Sequence, residues 1–175
     1  MTQLNLALLF ILTITLTACG FHLRGTNGDS YRFPFQTVYV ECNNVIVCQN
    51  LTTAIRTQDL AKLVNTPESA EVIIKLVKEQ TSRDILSINS VGRVSAYLLT
   101  YQMQAQVWQN KEQINDDISV AAQATMQYNN STILADTQEE ANMWDLLHQK
   151  ATNQLIRQLI HFKYRNFSLN DTESK

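Results

Sequence analysis

Between Tyr97 and Val107 every second residue is apolar. Tyr97, Leu99, Tyr101, Met103, Ala105 and Val107 share one phase, and Thr100, Gln102, Gln104 and Gln106 share the other, with Leu98 and Trp108 as exceptions. Successive side chains of a strand point to opposite faces, so this run demands a half-buried antiparallel strand with one face on a core and a polar face turned away. A second run, from about Ile118 to Tyr128, repeats the pattern. Val120, Ala122, Ala124, Met126 and Tyr128 point in, and Ser119, Gln123, Thr125 and Gln127 point out. The polar connection Lys111–Asp117 joins the two as a hairpin. A third alternation spans Glu71 to Gln80, with Val72, Ile74 and Leu76 on one phase. Thr37–Glu41 is short and rich in β-branched and aromatic residues, as a fourth strand requires.

Two helices are expected. Asn43-Asn44 can cap one that runs to about Leu60, with Val47, Leu51, Ala54 and Ile55 on one face. Thr137-Gln-Glu-Glu140 fits a capping box and starts the second. There Trp144, Leu147, Ala151, Leu155 and Leu159 form one apolar stripe at three- and four-residue spacing. Strand, helix, strands, helix is an α+β order. It predicts a two-layer domain with both helices on one face of a roughly four-stranded antiparallel or mixed sheet. The opposite face carries the Gln and Thr rows. Only 17% of residues are charged, against about 25% in typical domains, while Gln alone occurs 16 times. Such a surface is polar without imposing the cost of stripping water from charges. The net charge of −2 leaves no basic excess for nucleic acid.

Residues 4–18 carry no charge and are mostly apolar, but Leu6–Leu16 is too short to span a bilayer, which takes about 20 residues. The length suits a signal-peptide h-region. Leu16-Thr17-Ala18-Cys19 then resembles the bacterial lipobox, in which small residues let the extended chain enter the peptidase site and the Cys thiol takes lipid. The n-region Met1-Thr-Gln-Leu-Asn departs from the pattern, because it has no Lys or Arg. Four segments are expected: a signal peptide (1–18), a lipidated lead-in (19–36), one α+β domain (37–165) and a disordered tail (166–175). Gly20 follows the Cys, where lipoproteins of this kind held at the inner membrane carry Asp. Gly at this position permits export to the outer membrane in the lipoproteins it resembles.

With Cys19 lipidated, Cys42 and Cys48 remain as an even pair in an oxidising compartment, and a disulfide closing a small loop is expected. The alternative is two free, half-buried thiols. No metal site is expected, since the Cys spacing is not that of a zinc site and no His cluster accompanies it. His22, His148 and His161 stand apart, and no nucleophile elbow, zinc-protease or phosphate-loop pattern occurs, so neither catalysis nor a cofactor is expected.

Cys19-Gly-Phe-His-Leu-Arg-Gly25, directly after the lipobox, closely resembles the opening of the LptE family of lipopolysaccharide-assembly lipoproteins. Leu86-Ser-Ile-Asn-Ser-Val-Gly-Arg-Val-Ser-Ala-Tyr97 resembles that family's hairpin before its long strand, and the run from Gln149 to Arg157 resembles its last helix. The resemblance implies a non-catalytic protein on the periplasmic face of the outer membrane, held there by its lipid. Such a protein plugs the large β-barrel LptD, helps it assemble, and assists placement of lipopolysaccharide in the outer leaflet. It also implies basic residues that meet lipopolysaccharide phosphates. Arg93 falls in the matching hairpin, with Arg83 and Lys78 near it in sequence. The loop before the last helix departs from the family, because it holds Asp136, Glu139 and Glu140 and no base lies between Tyr128 and His148. An auxiliary lipoprotein of a lipid-trafficking ABC transporter is the alternative reading.

Overall fold

Pairing begins at Thr37, where side chains first alternate, and the elements follow in the order β1 (Thr37–Glu41), α1 (Val45–Thr57), β2 (Lys62–Leu63), a 3-10 turn (Pro67–Ser69), β3 (Val72–Ile88), β4 (Val94–Gln109), β5 (Glu112–Gln113), β6 (Ile118–Gln127) and α2 (Ile133–Ile160). This is a computed structural model, and it describes residues 31–128 and 133–162, with residues 133–136 as backbone only. The expected signal peptide (1–18), Cys19 and the expected tail (166–175) lie outside the described residues.

β4 is the centre of the sheet. It pairs antiparallel with β3 on one side, and with β6 and the short β5 on the other. β1 joins the far side of β3 in parallel, and β2 continues parallel beyond it. The sheet is therefore mixed, with six strands rather than four. The two additional strands are two residues each, too short for alternation to register.

Both helices pack against this sheet. In α1, Asn44 caps the N-terminus by accepting a hydrogen bond from the Ile46 N–H at 3.0 Å. Val47, Leu51 and Ile55 are fully buried along one stripe. The helix stops at Thr57, three residues before the expected end. Asp59 adopts φ 51°, and the Leu60 N–H returns to the Ile55 carbonyl at 3.0 Å, which closes the C-terminus. α2 begins at Ile133, a full turn before the expected capping box, so Thr137 sits inside the helix and is not its cap. Ile133-Leu-Ala135 are adequate helix formers, and tertiary packing of the apolar stripe overrides the local start signal. Leu147, Ala151, Leu155 and Leu159 are fully buried, as the spacing requires.

The core lies between the layers, where Val72, Ile74, Leu99, Met103 and Met126 meet the helix stripes. Each such side chain contributes on the order of 2 kcal/mol by leaving water. Phe33 and Phe35 also enter this core, with ring centroids 5.1 Å apart, and the Phe33 N–H donates to the Leu60 carbonyl. The packed domain thus includes part of the segment expected to be an irregular lead-in.

β3 departs most from expectation. It runs to Ile88 instead of ending near Gln80, and its pairing with β4 shifts register between Leu76 and Lys78 and again near Ser87. The first shift leaves Val77 as an extra residue, a β-bulge that exchanges the two faces of the strand. Before it Val72, Ile74 and Leu76 face the core; after it Glu79, Thr81, Arg83 and Ile85 pair opposite Met103, Tyr101, Leu99 and Tyr97 and share their side.

Candidate functional site

The side of the sheet away from the core is built by the second phase of β3, β4 and β6. Lys78 pairs with Gln104 and Gln104 with Ser119; Gln80 pairs with Gln102 and Gln102 with Ala121; Ser82 pairs with Thr100 and Thr100 with Gln123. These residues form rows across three strands. Lys78, Gln80, Gln102, Gln104 and Ser119 line a shallow depression in the middle. Hydroxyl, carboxylate and indole groups hold the amides in place. Gln104 Nε2 donates to Ser119 Oγ at 3.3 Å, Gln123 Nε2 donates to Thr100 Oγ1 at 3.3 Å, and Gln106 Nε2 donates to Asp117 Oδ1 at 2.9 Å. Trp108 Nε1 donates to Gln106 Oε1 at 3.0 Å. Lys75 is held by Glu41 at 3.1 Å and lies 5.0 Å from the Trp108 ring centroid. Such a face offers many donors and acceptors and few unpaired charges, so a polar wall can meet it with little charge desolvation.

On the core side the bulge places Glu79 at a junction of three elements. Its Oε2 accepts from Tyr101 Oη at 2.9 Å and from Asn44 Nδ2 at 2.9 Å, which ties β3 to β4 and to the N-terminus of α1. Burial raises the Tyr101 pKa far above the ordinary phenol value, and the Glu79 carboxylate adds to the rise. The His148 ring of α2 stands edge-on to Tyr101, with centroids 4.5 Å apart. His148 Nδ1 and Thr152 Oγ1 are buried without hydrogen-bond partners among the described residues. Burial lowers the His148 pKa, opposed in part by Asp145 and Glu79. The folded state therefore prefers neutral His148. Its contribution is complete above the unfolded value of about 6.5 and is lost as pH falls through the lower folded value. Chemical denaturation at pH 7.5 and pH 5 is expected to show lower stability at the acid end, with His148→Leu removing part of that slope. An equal slope in the variant would contradict this assignment.

The structure does not bring the three candidate cations together. Lys78 is on the polar face. Arg83 is on the core side of β3, about 17 Å further along the strand at 3.4 Å per residue. Arg83 is also engaged: Nη1 pairs with Glu140 Oε2 of α2 at 3.1 Å, and its guanidinium carbon lies 3.9 Å from the Tyr97 ring centroid. That arrangement docks the hairpin onto α2, so Arg83 has a structural occupation the sequence did not reveal. Arg93 is at the tip of the β3–β4 hairpin. There Gly92 takes φ +78°, and Asn89 Oδ1 accepts from the Val91 and Arg93 N–H groups. Near this tip Ile88 is 64% and Val91 73% exposed, and Ile85, further down the strand opposite Tyr97, is 63% exposed, so the hairpin end carries exposed apolar residues close to Arg93 in sequence. Among the described residues no cluster of three or more His, Cys, Asp or Glu could hold a metal ion.

Cys42 and Cys48 are joined in the structure, with Cα atoms 6.0 Å apart, across the turn that enters α1. We propose that the exported protein carries this bond. Loss of so short a closed loop is expected to lower stability by about 2 kcal/mol, read as equal drops in the unfolding midpoint for Cys42→Ser, Cys48→Ser and the double variant. Thiol-specific alkylation of native protein before reduction would contradict the pairing.

Among the described residues no helix is long and apolar enough to cross a membrane. The layered arrangement of two helices over a mixed sheet is shared with solved bacterial lipoproteins. The solution structure of uncharacterized lipoprotein B from Nitrosomonas europaea superposes with a TM-score of 0.69 at 27% identity, over 82% of this chain and 92% of that one. The minor lipoprotein from Acinetobacter baumannii gives 0.63 at 16% identity, over 74% and 93%, and shares the fold. The domain thus has the fold of these bacterial lipoproteins.

The LptE family, described as lipopolysaccharide-assembly, matches residues 35–159, and the chain belongs to it. It is also 29% identical over 154 residues to the LPS-assembly lipoprotein LptE of Pectobacterium atrosepticum, covering 85% of this chain and 81% of that protein.

Proposed function

We propose that this protein is a lipid-anchored plug and assembly partner for an LptD-like outer-membrane β-barrel, and that it assists the insertion of lipopolysaccharide into the outer leaflet. The carrying observation is the charge-poor polar sheet face, whose Gln, Ser and Thr rows suit the polar interior of a large barrel. Family membership supports the lipopolysaccharide-assembly role. In this reading the protein performs no covalent chemistry. Its Cys19 lipid fixes it at the periplasmic side of the outer membrane, while the hairpin and sheet face meet the barrel and its cargo. Depleting the protein in cells is expected to reduce the heat-modifiable, fully folded form of the barrel while its messenger level stays constant. Undiminished folded barrel after depletion would defeat the assembly role.

Arg93 is the lipopolysaccharide contact in this proposal. A cation on an apolar tip matches an anionic amphiphile, whose phosphate pairs with the guanidinium while acyl chains cover Ile88 and Val91. Arg93→Ala is expected to weaken binding of purified lipopolysaccharide about tenfold, the loss of one charge-assisted contact. Recovery of the barrel partner should be unchanged. Unaltered lipopolysaccharide affinity would remove Arg93 from the site.

A further inference from the structure

Three backbone hydrogen bonds shape a cleft where the chain enters the domain. The Phe33 N–H donates to the Leu60 carbonyl at 2.9 Å, the Lys62 N–H to the Gln36 carbonyl at 2.8 Å, and the Asp59 N–H to the Arg56 carbonyl at 3.4 Å. They lay residues 32–36 against the end of α1 and the start of β2. The space between measures about 710 Å³, within the usual range of ligand sites. Arg32, Arg56 and Lys62 line it together with a single carboxylate, Asp59, and Pro34 and Leu63 add apolar wall.

These charges do not balance within the domain. Arg32 pairs with Asp59. Arg56 and Lys62 are exposed and make no ion pair among the described residues. Glu71 reaches the rim, but its Oε2 is engaged by the Gln36 N–H at 2.7 Å. Each unpaired cation has a local reason. Arg56 is in the last turn of α1, where positive charge is favoured, and Lys62 guards the outer edge of the sheet. Neither reason calls for both to line one cleft with Arg32. The remaining segments do not neutralise them either. Residues 1–18 and 129–132 carry no charged side chain, residues 19–30 set Arg24 against Asp29, and residues 163–175 hold more bases than acids. The counter-charge must come from outside the chain.

Covalent connection indicates its source. Arg32 stands on the rim of the cleft, and residues 20–31 join it to Cys19, the proposed lipid site. The anchor therefore tethers this end of the domain to the bilayer. Guanidinium and ammonium groups pair with phosphate. We propose that the cleft binds the phosphate headgroup of an anionic phospholipid in the membrane that holds the anchor. The lipid on Cys19 limits distance, and the cleft selects which end of the domain faces the leaflet. This proposal rests on the lipid-anchor reading.

Native mass spectrometry of the full lipoprotein, released from neutral detergent containing phosphatidylglycerol or phosphatidylcholine, tests it. Phosphatidylglycerol is expected to be retained about fivefold more than phosphatidylcholine. Arg56→Gln combined with Lys62→Gln is expected to remove that preference, while Lys150→Gln, outside the cleft, leaves it. Asp59→Asn releases Arg32 and is expected to raise retention about twofold. Asn tolerates the φ of 51° at this position, so the fold is kept. A gain in binding is not what loss of structure produces. The same spectra report the mass of the chain. An acylated chain without the preference, as when residues 20–30 fill the cleft, overturns the cleft alone. So does a preference untouched by the double variant. Displacement of the lipid by millimolar inorganic phosphate at constant ionic strength assigns the cleft to the free ion and overturns the membrane as its source. An unacylated chain overturns the anchor reading and the membrane orientation built on it.

Discussion

Leu155→Ala in α2 is expected to lower the unfolding free energy by about 3 kcal/mol, because a buried Leu removed from a packed core costs its transfer free energy and leaves a cavity. Leu155 is fully buried and lies in the middle of the stripe that holds α2 to the sheet. Domains of this size have only about 5–15 kcal/mol to lose, so the variant should be visibly weakened. Urea unfolding followed by circular dichroism checks it, with the midpoint falling and the slope constant. Gln158→Ala, on the exposed side of the same helix, is expected to stay within about 0.5 kcal/mol of wild type. Similar losses from both would mean that α2 is not held by this stripe.

Cys19→Ser is expected to have an all-or-none effect. The lipobox requires the thiol as acyl acceptor, and a hydroxyl does not replace it. Intact mass of wild-type protein should show a chain beginning at an acylated Cys19, and the variant should retain residues 1–18 and incorporate no labelled palmitate. Several acyl chains, at about 0.8 kcal/mol per buried CH₂, make a stable anchor where one is marginal. The variant should therefore fail to reach the outer-membrane fraction. Acylation of the variant, or a wild-type chain that begins elsewhere, would contradict the lipoprotein assignment.

The sequence was most informative where structure repeats without interruption. β4 and β6 pair in continuous register with one face buried, so every inward residue of each obeys the same period. The α2 stripe was legible for the same reason. β3 was not, because the Val77 bulge exchanges its faces and its second half extends beyond the core, where neither phase must be apolar. Phe33 and Phe35 were hidden among Gly, Pro and Arg residues that read as loop, although the core takes both rings.

The candidate site divides along the same line. The polar Gln and Thr face follows directly from the alternation of β4 and β6, whereas the hairpin that carries Arg93 was expected only from the family resemblance. The partners of Arg83 were not, because Glu140 reaches it from α2 and only tertiary packing brings them together. The half-buried Glu79–Tyr101–Asn44 junction was missed for two reasons. Glu79 reaches the core side only through the bulge, and Asn44 was assigned to capping alone although it serves both roles.

Affinity recovery of the tagged lipoprotein from mildly solubilised outer membranes, with its partners identified by mass, tests the central claim most directly. A large, heat-modifiable β-barrel recovered near one to one with the lipoprotein is the expected result. A transporter component recovered in its place, with no barrel, would contradict the plug and assembly reading.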